Sequence, residues 1–286
     1  MKKVIAWSLS FLFMILTYSV YASEENEHDH HHGHSMVEDH ASHASQESSP
    51  ATPTIKIDVN PVSGQSNQWQ IKLTQIKDNK PVRLEDLKEV HTEKIHLLII
   101  DNTLEDYSHV HPRPLKEPGL YQFEWDPKKK GQYYVWADLF PLATHKEEYV
   151  VTEVSLGEQT KSSINQNVVM KNTVNDYQFQ LSFEKDDLKA KQTNTGLITI
   201  TDLNGKPVHD LEPIMGAFAH IVAFSDDMKT IVHIHPMGKE PTKATDRGGP
   251  VLKFHIESDK PGFIKLFAQV KINGKEIFVP FGIMVK

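Results

Sequence analysis

Gln68-Trp69-Gln70-Ile71-Lys72-Leu73 alternates polar and apolar residues, and Tyr177-Gln178-Phe179-Gln180-Leu181 repeats this alternation in the second half of the chain. Successive side chains of a strand point to opposite faces, so the alternation is typical of half-buried β-strands. Similar stretches rich in Val, Ile, Phe, Tyr and Thr recur from about Thr54 onward, separated by Pro, Gly, Asn and Asp. Because long helical periodicity is missing, we predict an all-β protein built from β-sandwiches.

The β-rich region consists of two similar halves. Lys80-Pro81-Val82 corresponds to Lys206-Pro207-Val208, and residues 131–136 correspond to residues 262–267. A pattern repeated along the chain indicates tandem copies of one unit. We therefore predict two β-sandwich repeats of similar size. The expected bounds are 54–157 for the first repeat, 158–173 for a polar linker and 174–286 for the second repeat.

Potential metal ligands occupy matching positions in the two halves, at offsets of zero, five, eighteen and twenty residues. They are His91, His96, His109 and His111 in the first half, and Met215, His220, His233 and His235 in the second. Residues i and i+2 of a strand share a face, so the two histidines of each His-x-His pair should project together. The histidine upstream of the pair, on a neighbouring strand, would complete a face of three nitrogens. His91 lies an odd number of residues before His96, so it must enter from a turn or bulge.

The ligand types indicate which metal would bind. Imidazole suits zinc, copper, nickel and iron, whereas a thioether adds a preference for copper, especially Cu(I). Met215 and also Met237, two residues beyond His235, make the second half the better copper candidate. The all-nitrogen first half would suit Cu(II) or zinc. Two alternatives remain: the imidazoles hydrogen-bond a shared feature of the fold, and the methionines belong to the core.

The N-terminal residues predict export followed by a disordered segment. Lys2 and Lys3 precede an apolar run, and Val20-Tyr21-Ala22 resembles a signal-peptidase site, so we predict a signal peptide at 1–22 and a secreted or periplasmic protein. An uncleaved anchor is the alternative, and no later segment is apolar enough to span a membrane. Residues 23–53 contain no Lys or Arg but seven acidic residues and seven histidines, a composition typical of disorder. Loose metal binding is expected from His28, His30, His31, His32 and His34.

The composition excludes several classes of protein and site. The chain contains no cysteine, which excludes disulfides, thiolate metal sites and cysteine nucleophiles. Its 31 Lys and Arg residues against 38 Asp and Glu residues give a formal charge of -7. A general nucleic-acid-binding protein needs a basic face, so we expect no nucleic-acid partner.

The second half also resembles a known family. It is similar to bacterial extracytoplasmic immunoglobulin-like proteins, related to the YtkA-like domains, that are often encoded beside copper and heavy-metal efflux systems. The matching strings are Gly216-Ala217-Phe218-Ala219-His220, His233-Ile234-His235-Pro236-Met237-Gly238, Pro261-Gly262-Phe263 and Val279-Pro280-Phe281. The resemblance covers about 210–286 well and 96–140 more loosely. It implies a secreted immunoglobulin-like β-sandwich and an association with metal handling. We expect a metal ion as partner, together with a copper exporter or cuproprotein.

The sequence favours a protein that sequesters or delivers copper, or else zinc, over an enzyme. One alternative is a bicupin-like metalloenzyme, since His233, His235 and Glu240 resemble the first cupin motif. However, the third cupin histidine should follow this motif, whereas the matching histidine here precedes it. The other alternative is a metal-free extracellular interaction module, in which Trp125 and Trp136 serve only packing or partner contact.

Overall fold

The computed structural model describes residues 52–158 and 163–286, apart from the side chains of His233 and His235. The predicted signal peptide and residues 23–51 of the predicted disordered segment lie outside the described residues. Regular structure in the described part consists of β-strands and one turn of 3-10 helix at Leu84–Asp86. In this same part of the chain, no helix is long and apolar enough to cross a membrane.

The first repeat is a sandwich of two antiparallel sheets. Its strands are β1 (Ile55–Pro61), β2 (Gln68–Gln75), β3 (Ile95–Asp101), β4 (Tyr107–Val110), β5 (Arg113–Pro114), β6 (Leu120–Glu124), β7 (Gly131–Leu139) and β8 (Glu148–Leu156). One sheet has the order β1-β2-β6-β5, and the other has the order β4-β3-β7-β8. Leu97, Tyr121 and Val135 are fully buried between them. This strand order is that of an immunoglobulin sandwich, so the bicupin alternative, which needs a jelly roll, lacks its fold.

The second repeat contains the corresponding layers, joined at one edge. Its strands are β9 (Lys171–Val174), β10 (Tyr177–Phe183), β11 (Asn194–Asp202), β12 (His220–Ser225), β13 (Ile231–Met237), β14 (Val251–Glu257), β15 (Gly262–Ile272) and β16 (Lys275–Val285). Strand β13 pairs with both β12 and β14, so all eight strands form one sheet, of order β16-β15-β12-β13-β14-β11-β10-β9. Phe179, Phe254 and Phe281 fill the core. The predicted fold class, two tandem immunoglobulin-like β-sandwiches, is confirmed, while the bounds of the repeats stay predictions.

The two repeats pack against each other through the outer faces of β3 and β7 and of β12 and β15. A buried apolar cluster joins them, and its members are Leu98, Ile100, Leu104, Trp136, Val222, Phe224, Phe263 and Phe267. The ring of Tyr107 lies 4.6 Å from that of Phe267 and 5.6 Å from that of Phe224, measured between centroids. We call this contact the inter-repeat interface. It explains why β3 is buried along its whole length, because one face covers the core of its own repeat and the other covers the second repeat.

Equivalent strands keep the same register in both repeats. The pairs Ile99↔Ser108 and Ile100↔Tyr107 between β3 and β4 correspond to Ala223↔Val232 and Phe224↔Ile231 between β12 and β13. All four pairs are related by one shift along the sequence. The duplication seen in the sequence therefore extends to individual strand pairs, and it places His96 and His220 at equivalent positions.

Candidate metal centre

His96 and His220 continue the inter-repeat interface at one end. In β3, His96 alternates with core residues and therefore shares the outer face with Leu98 and Ile100. His220 begins β12 and shares the corresponding face with Val222 and Phe224. The apolar contact between the repeats thus gives way to imidazoles where these two strands begin.

Three histidines of the first repeat bring one nitrogen each to a common point. His109 lies on β4, opposite Leu98 in β3, and His111 follows that strand. His96 Nδ1 is 3.1 Å from His109 Nε2 and 3.1 Å from His111 Nε2, and all three nitrogens lie within 4.8 Å of one another. Nitrogens bound tetrahedrally to one zinc ion at the usual bond length are about 3.3 Å apart. The three residues, called the histidine triad below, could therefore hold a metal ion.

Neighbouring groups fix which ring nitrogens of the triad carry a proton. His96 Nε2 lies 2.9 Å from the carbonyl oxygen of Val90, which can only accept a hydrogen bond, so Nε2 carries the proton. His109 Nδ1 lies 3.0 Å from Oε1 of Gln269. The amide of Gln269 cannot be turned around, because its nitrogen donates to the carboxylate of Glu276 at 2.8 Å. His109 therefore also donates outward.

These outward hydrogen bonds leave two lone pairs facing each other. A neutral imidazole has one protonated nitrogen, so His96 Nδ1 and His109 Nε2 are both acceptors across 3.1 Å. A proton on His111 Nε2 can satisfy His96, but it leaves His109 without a donor. A cation between the nitrogens would satisfy all three. Metal-binding histidines in proteins usually donate their second nitrogen to a carbonyl or carboxylate, and His96 and His109 both follow this pattern.

Burial keeps the triad neutral. His96 is 2% exposed and His109 is 9% exposed. Desolvation lowers the pKa of His96 from 6.5 to about 4 and that of His109 to about 3, and it also lowers the pKa of His111. The histidines reinforce one another, since a proton on any one raises the cost of protonating the next. At neutral pH the triad consequently offers lone pairs and no charge.

Two further histidines adjoin the triad. The ring of His220 is 4.7 Å from that of His109 and lies parallel to that of His96 at 6.1 Å. Its Nδ1 is buried and finds no hydrogen-bond partner among the described residues, and burial lowers its pKa well below the ordinary value. The ring of His91 is 5.8 Å from that of His220 and 6.3 Å from that of His96. We call these five residues the histidine cluster, and it draws on both repeats.

The strand beside the triad carries a carboxyl group whose pKa is raised. Asp138 of β7 lies opposite His96, and the corresponding position opposite His220 is Gln269. Burial raises the pKa of Asp138 well above its ordinary value, and the neighbouring carboxyl of Glu147 raises it further. Both effects favour the neutral form of Asp138, which weakens the negative charge that it could supply beside His96.

The remaining predicted ligands lie in different surroundings. His91 is exposed in the turn that joins Val90 to Glu93, with a φ of 49°. Met215 is half-buried in the equivalent turn, also with a φ of 49°, and Met237 is 39% exposed at the end of β13. The side chains of His233 and His235 lie outside the described residues. The part of these methionines and of the second His-x-His pair in metal binding stays a prediction.

Sequence reasoning missed the residues that orient the ligands. The Val90 carbonyl could not be identified, because every residue has a carbonyl. Gln269, by contrast, is a buried polar residue in strand β15, whose other buried residues are all apolar. A lone amide at such a position needs a hydrogen-bond partner, and this was the available signal.

Comparison with known proteins identifies a family and a set of distant structures. A family model described as "Domain of unknown function (DUF8832)" matches residues 46–155 and 172–286. No curated protein matches the chain. Solved structures with similarity include the Escherichia coli adhesin FdeC (15% identity, 82% of this chain and 64% of that chain, TM-score 0.24) and the D00-D0 domain of intimin (10% identity, 81% and 99%, TM-score 0.23). This chain therefore spans less than two thirds of the FdeC chain, and likeness at these scores does not bear on function.

Proposed function

The chain belongs to the DUF8832 family, and we propose that it is an extracytoplasmic metal-binding protein that sequesters or delivers copper, with zinc as the second candidate metal. The supporting observation is the 3.1 Å contact between the unprotonated nitrogens of His96 and His109. Two facing lone pairs repel each other, and the low dielectric of a buried site strengthens this repulsion. A bound cation turns the same contact into a favourable one.

Copper is preferred over zinc for two reasons. Divalent copper binds more tightly than zinc to a given set of nitrogen ligands. The resemblance to proteins encoded beside copper efflux systems, and the predicted ligands Met215 and Met237, also favour copper. Zinc remains the second candidate because three imidazoles are a common zinc ligand set.

The burial of the triad favours holding an ion over turning over a substrate. His96 and His109 are enclosed, whereas His111 is half-buried and His91 is exposed, so an ion would reach the triad from the side of His91 and His111. The proposed extracytoplasmic location rests on the predicted signal peptide at 1–22, and the predicted His-rich segment would collect ions loosely nearby. A copper exporter or cuproprotein would be the donor or acceptor.

The proposal is tested by metal titration of a shortened protein that starts at Ser48. Ser48 is the first residue of the compact unit that contains every described strand, and the shortened protein lacks most of the histidine-rich segment. We expect tight binding of Cu(II), measured by competition with a chromogenic chelator, and nitrogen hyperfine structure in its electron paramagnetic resonance spectrum. His109→Ala should weaken binding, while His209→Ala, which changes an exposed histidine outside the cluster, should not. Equal affinities of the His109→Ala variant and the unaltered protein would exclude the site. Failure of the unaltered protein to bind any metal would favour the interaction module.

A further inference from the structure

We propose that the bound ion bridges the two repeats, with His220 of the second repeat as its fourth ligand. The inference rests on the proposed metal binding and adds a specific consequence, namely that the ion clamps the inter-repeat interface. It differs from the sequence-based expectation of one ligand set in each half.

The position of His220 makes it a member of the same cluster of rings. Within the triad, the ring centroids are 4.7 to 5.3 Å apart, and the ring of His220 lies 4.7 Å from that of His109. Its buried Nδ1 has no hydrogen-bond partner among the described residues. A buried polar atom without a partner is costly, and coordination to an ion would remove that cost.

The second repeat also orients a ligand of the first. His109 donates to Gln269 of β15, and Gln269 is held in turn by Glu276 of β16. Replacing a residue that orients a metal ligand typically lowers metal affinity or activity about 10–100-fold. The triad is therefore complete in its orientation only when the repeats are packed together.

The duplication explains why two histidines meet at this interface. His96 and His220 are equivalent residues on equivalent strands, and their rings are parallel to within 2°. When two copies of one unit pack through the same face, a residue near the symmetry axis meets its own counterpart. Equivalent residues of β3 and β12 do meet in the inter-repeat interface, as Leu98 with Val222 and Ile100 with Phe224 in its apolar cluster show.

An ion held by both repeats stabilises their packing by linkage. It binds the packed arrangement more tightly than the separated one, because separation removes His220 and Gln269 from the site. Bound metal therefore raises the free energy needed to separate the repeats. Once metal is in excess, this increase grows with the logarithm of the ratio of the free metal concentration to the dissociation constant.

The test uses the full chain and exploits its lack of cysteine. In the variant His220→Cys the only thiol of the protein would stand at the proposed fourth ligand position. We expect Co(II) to produce a thiolate-to-cobalt charge-transfer band in the near ultraviolet with this variant. The control His209→Cys, which introduces an exposed thiol outside the cluster, should give no such band.

A second pair of variants separates ligation from packing. His220→Ala should weaken Cu(II) binding at least about tenfold, the lower end of the loss seen when a supporting group of a metal site is removed. Val222→Ala, two residues away on the same face of β12, removes only two methyl groups from the interface, so any loss of affinity should be no more than about threefold and smaller than that of His220→Ala.

The outcomes distinguish this inference from the proposed function. If His109→Ala abolishes tight binding while His220→Ala does not weaken it and His220→Cys shows no thiolate band, the site belongs to the first repeat alone and the bridge is wrong. If His109→Ala also has no effect, the proposed function fails with it. An equal loss from Val222→Ala and His220→Ala, without a thiolate band, would likewise overturn the bridge, because the effect would then be one of packing.

Discussion

Acidifying the metal-free protein from pH 7 to pH 5 should destabilise it, because its buried histidines resist protonation. In the unfolded chain a histidine has its ordinary pKa of about 6.5. In the folded chain, desolvation lowers the pKa of His96 to about 4 and that of His109 to about 3. Between these values and 6.5 the unfolded chain binds protons that the folded chain does not. Stability is therefore complete above pH 6.5 and is lost as the pH falls toward the folded values.

The magnitude follows from the distance between pH 5 and the unfolded pKa. At pH 5 an unfolded histidine lies about 1.5 pH units below its pKa, and each unit corresponds to about 1.36 kcal/mol, so each of the two histidines costs roughly 2 kcal/mol. Asp138 acts in the opposite direction, because burial raises its pKa and the folded chain retains a proton that the unfolded chain releases above about pH 4. The histidine contribution must therefore be measured as a difference between proteins.

The assay is urea unfolding at pH 7 and pH 5 in the presence of a chelator, for the unaltered protein and for His96→Gln. Glutamine keeps a donor for the Val90 carbonyl but does not titrate. The free energy of unfolding of the variant should fall by roughly 2 kcal/mol less between the two pH values than that of the unaltered protein. His209→Gln is the matched control and should retain the full dependence. Identical pH dependence of the unaltered protein and His96→Gln would refute the assignment of a buried neutral imidazole.

Three other changes test the interface and the ligand sets. Leu98 is 2% exposed in the inter-repeat interface, so Leu98→Ala should lower the free energy of unfolding, measured in urea, by about 2–5 kcal/mol. The control Leu142→Ala, at a 43% exposed position, should change it by less than about 0.5 kcal/mol. Similar effects of both variants would contradict the packing described. Gln269→Leu should weaken Cu(II) binding about 10–100-fold in a chelator competition while leaving the far-ultraviolet circular dichroism unchanged, and unaltered affinity would show that orientation of His109 does not matter. The sequence predicts that the second His-x-His pair binds metal, so replacing His233 and His235 together by alanine should lower the number of copper ions bound, as measured by elemental analysis. An unchanged number would restrict binding to the histidine cluster.

The sequence was sufficient to predict the fold, because the signal for each strand is local. Alternation such as that of residues 68–73 reports the two faces of a strand, and the shared offsets of the ligand positions report the duplication. The pairing of the repeats left a weaker trace. β3 contains the uninterrupted run Leu97-Leu98-Ile99-Ile100, which indicates burial on both faces without identifying what covers the second face. Here the second face is covered by β12 of the other repeat. Which surface covers it depends on how well the two surfaces fit over their whole area, and a local stretch of sequence does not report that fit.

The same limit explains why the composition of the site could be predicted only in part. Equal offsets show that His96 and His220 are equivalent, but they do not show that the two residues meet. Two copies of one unit could pack through any face, and only packing through β3 and β12 brings these rings within 6.1 Å of each other. Gln269 enters the site for the same reason, since it lies beside His220 in the sheet and reaches His109 across the interface.

The burial that suits the cluster to metal binding also makes the metal-free protein less stable. Packing the repeats together removes water from His96 and His109, which lowers their pKa and leaves lone pairs without donors. In water these nitrogens would be solvated, and an ion would have to displace that water. In the interface the cost of removing water from the nitrogens has already been incurred during folding, so a larger share of the coordination energy appears as affinity.

Weakening the interface at Leu98 should therefore lower copper affinity as well as stability, although Leu98 is not a ligand. The two effects can be measured on the same Leu98→Ala protein, by chelator competition and by urea unfolding. An unchanged copper affinity in a clearly destabilised variant would show that the site does not depend on the packing of the repeats.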